Sequence, residues 1–233
     1  MTALPATGPA VPGPALAPAR TDPVTLDALE VAAGGGGVLL GPDPTGEPVH
    51  LDLFRPEPVS VVLVAPVALA LVLALRSLAV GAEVVVETSR PAGWAAASSL
   101  ATSRAGAFVV AERAGAQPAG TLVTPRLLVV DGESASADAH RVGAWSAQVT
   151  VAETAGSWNT AGLGSSDVTV VQGLPLAQAA VVGRALGLAD GEAVLAGRGD
   201  DVVTLVGRGE VRHVQVRPTS VERWLLGSAA ERR

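Results

Sequence analysis

Cysteine, lysine and tyrosine are absent from this sequence, and aromatic residues of any kind make up 3% of it. Without cysteine there are no disulfides, no thiolate zinc sites and no cysteine nucleophile. Without lysine, Schiff-base chemistry and the lysine of a phosphate-binding P-loop are excluded. All sixteen basic residues are therefore arginines, and they are outnumbered by 22 acidic ones. A net charge of −6 argues against nucleic acid as a ligand, because neutralising phosphates needs a basic surface. The three histidines, His50, His140 and His213, lie far apart with no HxH or HxxxH spacing, so no metal site is expected. No GxSxG nucleophile elbow occurs either.

What is present is aliphatic: 48% of the 233 residues are hydrophobic, so a core of Val, Leu and Ala is available. The first segment, MTALPATGPAVPGPALAPAR, is broken by five prolines and lacks the basic and apolar regions of a signal peptide. It reads as a solvated tail. The run Gly34–Gly37 lacks a following GK[ST] and reads as a joint. These features divide the chain into a disordered Pro/Ala/Gly-rich tail over 1–37, one α/β domain over 38–227 and a flexible end over 228–233.

The stretch VSVVLVAPVALALVLALR, Val59 to Arg76, is uncharged up to its last residue. Its length overlaps the roughly 17–25 residues of a membrane-spanning helix. Its chemistry changes at Pro66, however. Val-rich β-branched residues precede the proline and helix-forming Ala and Leu follow it. Gly81 supplies a stop, and AEVVVET is a second buried strand. Strand, helix and strand over this span predict a βαβ unit rather than a membrane span.

Further strands are expected at 107–112, 126–131, 147–153 and 167–172, with a helix after Pro175 ended by Gly187. Leu176, Ala179, Ala180, Gly183 and Leu186 share one face of that helix. VLLG and VHLDLF flank a turn and predict an N-terminal hairpin; Asp201–Val216 predicts a C-terminal one. Thr219 and Glu222 have capping-box spacing at the start of a short last helix. The fold class is thus α/β: a single domain with a mostly parallel Rossmann-like sheet, an N-terminal hairpin, and a C-terminal hairpin plus short helix.

The turn after VSVVLV is where a mononucleotide fold would hold phosphate, yet it reads APVALAL. It has no glycine to admit a pyrophosphate, no lysine, and no Ser or Thr placed for magnesium. In LLVVDGE, Asp131 ends a buried strand, and Asp131 with Glu133 loosely matches the acidic pair that holds a metal in nucleotide-sugar transferases. A turn cap is the competing explanation for that carboxylate. Of the four tryptophans, Trp94, Trp145, Trp158 and Trp224, each suits either core packing or a binding hot spot.

Four segments in order, LLGPDPTGEPVHLDLF, LALRSLAVGAEVVVETSRPAGW, DVTVVQGLPLAQAAVVGRALGL and VRPTSVERWLL, resemble the EccE component of actinobacterial type VII (ESX) secretion systems. The resemblance implies a structural or interaction subunit that is not an enzyme and carries no catalytic, cofactor or metal residues. Its implied partners are the secretion membrane complex and an FtsK-like ATPase. Arg90, Trp94 and Trp224 are the candidate contact residues. Members of the family usually carry transmembrane helices ahead of this domain, where this chain has its Pro/Ala-rich segment. The expected location is therefore the cytoplasm or the inner face of the cell membrane, with membrane contact only through partners. The alternative is a nucleotide-sugar-dependent transferase whose metal is held by Asp131 and Glu133. A small-ligand regulatory domain using the carboxyl ends of the strands is a third class.

Overall fold

The computed structural model describes residues 37–100, 106–132, 141–154, 162–207 and 209–230. Ten strands are named among them, in two sheets. Strands β1 (Gly37–Pro42) and β2 (Pro48–Asp52) form the antiparallel N-terminal hairpin. The others are β3 (Val59–Val64), β4 (Glu83–Thr88), β5 (Phe108–Ala111), β6 (Arg126–Asp131), β7 (Ser146–Ala152), β8 (Val168–Gln172), β9 (Val202–Gly207) and β10 (Glu210–Gln215). They build one sheet in the order β10-β9-β8-β3-β7-β6-β4-β5. Strands β8, β3, β7, β6, β4 and β5 run parallel, and the β9–β10 hairpin closes one edge antiparallel.

The uncharged run divides where its chemistry changes. Its first part is β3, and α1 (Val67–Ala79) follows with Pro66 at its N-cap. The helix ends in a Schellman motif, with Gly81 at φ 91°. There the Gly81 N–H donates to the Leu78 carbonyl and the Ala82 N–H to that of Ser77, each at 3.0 Å. No helix among the described residues is long and apolar enough to cross a membrane. Both faces of β3 are covered. Val59, Val61 and Leu63 belong to one core cluster with residues of α1 and the hairpin residues Val38, Leu40 and Leu51. Val62 and Val64 pack with Val171, Ala179, Val182 and Leu195. This two-sided burial explains why the strand reads as continuous apolar text rather than as an alternation.

The helix after Pro175 is α3 (Leu176–Ala185), and its buried residues are Ala179, Val182 and Gly183. Leu176, expected on that face, is 63% exposed. The face turns instead toward α4 (Gly191–Leu195). Gly183 and Gly191 meet there so closely that a Cβ on Gly183 would lie 2.6 Å from the Gly191 Cα. Close backbone contact at these two glycines sets how near the helices come. A 3-10 turn (Pro91–Trp94) and α2 (Ala95–Leu100) follow β4, and neither is evident from residue pattern. The last helix, α5 (Ser220–Ala230), starts with the anticipated capping box. The Thr219 N–H donates to Glu222 Oε2 at 2.6 Å, and the Glu222 N–H donates to Thr219 Oγ1 at 3.2 Å.

Candidate functional site

A band of polar groups lies at the carboxyl ends of the parallel strands β4, β6 and β7. Its centre is Asp131 at the end of β6, whose side chain is wholly buried. Arg90, just beyond β4, donates from Nη2 to Asp131 Oδ1 at 2.5 Å and from Nε to Oδ1 at 3.1 Å and Oδ2 at 3.2 Å. Thr88 Oγ1 donates to Oδ2 at 3.0 Å, and the Trp94 indole Nε1 donates to the same oxygen at 2.8 Å. The remaining Arg90 nitrogen, Nη1, reaches Glu153 Oε2, beyond β7, at 3.0 Å. Strands β4, β6 and β7 are neighbours in the sheet, so three separate strand ends deliver these groups to one place. The hydrogen bonds it donates to Asp131, followed by the one to Glu153, hold the Arg90 guanidinium far above its ordinary proton affinity. It is a permanent cation.

This arrangement decides the use of the Asp131 carboxylate. Both oxygens already accept charge-assisted or neutral hydrogen bonds, so a metal ion would have to displace Arg90. The alternative of a metal held by Asp131 and Glu133 is corrected on that ground for Asp131, while Glu133 lies outside the described residues. No group of three or more His, Asp or Glu side chains placed to hold a metal occurs among the described residues.

Beside this band lies an open cleft of about 700 Å³ at the ends of β3, β7 and β8. Its floor includes Leu69 and Val72 of α1, Leu174 after β8, and Val216 after β10, all buried. Leu226 of α5 closes one side, and Glu153, Asp200 and Asp201 supply carboxylates. The turn between β3 and α1 contributes Pro66 and Ala68 to the rim. Methyls and a proline ring stand where a phosphate cradle would need bare backbone N–H groups.

Of the candidate contact residues, Arg90 and Trp94 converge on Asp131 and Trp224 does not. Trp94 is fully buried, with its ring 6.4 Å from that of Phe108, so it is a core residue rather than a surface contact. Arg90 keeps 43% of its side chain exposed. Trp224 is 64% exposed on α5. Trp158 and His140 lie outside the described residues. Pattern alone missed Thr88, Glu153, Asp200 and Asp201. One signal could have found Glu153: AQVTVAE, like RLLVVD, is a buried strand followed or ended by an acid.

No family model matches this chain, and no curated protein matches it. Solved structures do share its outline. ATPases 2 and 3 of Thermomonospora curvata EccC, in complex with a signal sequence peptide, align over 89% of this chain and 46% of that one, with 15% identity and a TM-score of 0.42. The cytoplasmic domain of EssC aligns over 80% of this chain and 43% of its own, with 15% identity and a TM-score of 0.44. The genome packaging NTPase B204 from Sulfolobus turreted icosahedral virus 2, in complex with ATP-gammaS, aligns over 70% of this chain and 100% of its own. Its identity is 8% and its TM-score 0.47. This chain thus spans less than half the length of the two secretion ATPases. The type VII secretion proteins among these structures are EccC and EssC. The expectation that the chain is not an enzyme is withdrawn against these neighbours, which are named as ATPases and an NTPase. At these scores the likeness is one of fold outline only.

Proposed function

We propose that this chain is an EccE-like interaction component associated with a type VII secretion assembly. In this reading it meets the membrane complex and its FtsK-like ATPase from the inner face of the membrane. The observation that carries the reading is the outer face of α5. Val221 and Trp224, one turn apart, are 60% and 64% exposed. The same helix is fastened to the body by Glu222, whose carboxylate accepts from Arg76 at 2.7 and 3.1 Å. A rigid helix that presents an indole to solvent suits a binding hot spot, since tryptophan anchors dominate interface energetics. The ordered EccE-like segments add support, and the last of them, VRPTSVERWLL, contains this face.

The test is affinity capture of the tagged full chain from the native cell's membranes, followed by mass spectrometry. Secretion components should be recovered with the unaltered chain. Trp224→Ala should reduce their recovery about tenfold or more, the loss typical of a central hot spot, while thermal unfolding stays unchanged. Recovery of no secretion component, or equal recovery with the variant, overturns the reading.

A further inference from the structure

The cleft at the ends of β3, β7 and β8 is separate from the Trp224 face and has its own chemistry. We infer that it receives a polypeptide segment of a partner in which arginine or lysine is flanked by aliphatic side chains. Two observations carry this. The floor of Leu69, Val72, Leu174 and Val216 is aliphatic, so it accommodates branched apolar side chains. Every charged residue among the lining residues, Glu153, Asp200 and Asp201, is acidic.

Asp131 and Arg90 cancel, which leaves three carboxylates at the cleft. The amino ends of α1 and α3, at Pro66 and Pro175, also open on it. Each helix end contributes roughly half a positive charge, so together they offset about one of the three. The cleft is therefore negative, and it disfavours phosphate while attracting cations. The Asp200 carboxylate has no hydrogen-bond or ion-pair partner among the described residues. Asp201 Oδ2 accepts only the neutral Gln215 amide there, at 2.6 Å. These charges are free to pair with an incoming cation. An aliphatic floor beneath a rim of net negative charge complements a basic, apolar chain segment.

The experiment titrates the purified full chain with a fluorescently labelled peptide that alternates leucine and arginine. A counterpart carrying glutamate in place of each arginine is titrated in parallel. The arginine peptide should bind, weakening as salt rises, and the glutamate peptide should not. Asp200→Asn with Asp201→Asn should weaken binding about fivefold to tenfold, the sum expected for two rim charges. Ala68→Trp, which fills the cleft from its exposed rim, should abolish binding. Asp190→Asn with Glu192→Gln removes two acids that do not line this cleft and should leave binding intact. Circular dichroism of each variant verifies folding. Failure of the arginine peptide to bind overturns the inference, as does equal weakening by both acid-pair variants or full binding by Ala68→Trp. Arginine amide that binds as tightly as the peptide overturns the polypeptide assignment in favour of a small cation. The titration uses the chain alone, so its failure is distinguishable from failure of the membrane capture.

Discussion

Arg76 and Arg90 both neutralise a carboxylate, yet they stand in different surroundings. Arg76 is 16% exposed and Glu222 8%. Besides Glu222, the Arg76 guanidinium donates to the carbonyls of Leu39, Leu40 and Arg217. One side chain therefore ties the N-terminal hairpin, α1, the segment after β10 and α5 together. Arg90 is 43% exposed over a wholly buried Asp131, which Thr88 and Trp94 also serve. In the first cluster the cation is the hub, and it joins every acceptor to the others. In the second the carboxylate is the hub, and the cation is one donor among several. A guanidinium surrounded by backbone carbonyls joins pieces of the fold, whereas one at the mouth of a strand crevice occupies a carboxylate that would otherwise face ligands.

The contrast predicts an order of effects. Arg76→Ala should cost the most, about 3–4 kcal/mol, as expected when one partner of a buried pair is removed, read from urea unfolding of the full chain. Asp131→Ala should cost less, about 2–3 kcal/mol, because the buried Trp94 and Thr88 donors lose their acceptor while Arg90 retains Glu153. Arg90→Ala should cost least of the three, about 1–2 kcal/mol. Water can enter where the half-exposed guanidinium stood, and screening reduces what the pair contributes. If Arg90→Ala proves as destabilising as Arg76→Ala, the distinction between the two clusters fails.

The smallest effect is a dependence on pH. Burial pushes the Glu222 carboxyl upward, but hydrogen bonds from Arg76 and the Thr219 N–H outweigh it and hold the group below its ordinary value of 4.5. Glu87 is also held below 4.5, chiefly by hydrogen bonding to Arg141, which prevails over burial. A carboxyl with a depressed folded-state pKa contributes its full stability above the unfolded value and loses it as pH falls through the folded one. Stability should therefore decline on acidification below about 4.5. Glu222→Gln should flatten part of that slope, measured by thermal unfolding across pH. An unchanged slope would remove Glu222 from the acid response.

How far the sequence could be read followed the range of each interaction. The division at Pro66, the Schellman stop at Gly81 and the Thr219–Glu222 capping box all involve residues within one or two helical turns. They were legible as patterns. Periodicity puts Leu176 on the buried face of α3, where it is instead exposed, because periodicity finds an apolar stripe but not its partner. The close approach of Gly183 and Gly191 selected that partner. Trp94 illustrates the same limit. Its residue type admits both core and contact roles, and only the position of Asp131 beneath the indole decided between them.

The sequence by itself determined the local elements and the aliphatic character of the core, because backbone propensity and hydrophobic period act over a few residues. The tertiary structure decided the rest. Arg90 and Asp131 are 41 residues apart, and Arg76 and Glu222 are 146. Their meeting depends on which strands lie side by side. Strand order is set by the packing of whole layers, and no local pattern encodes it.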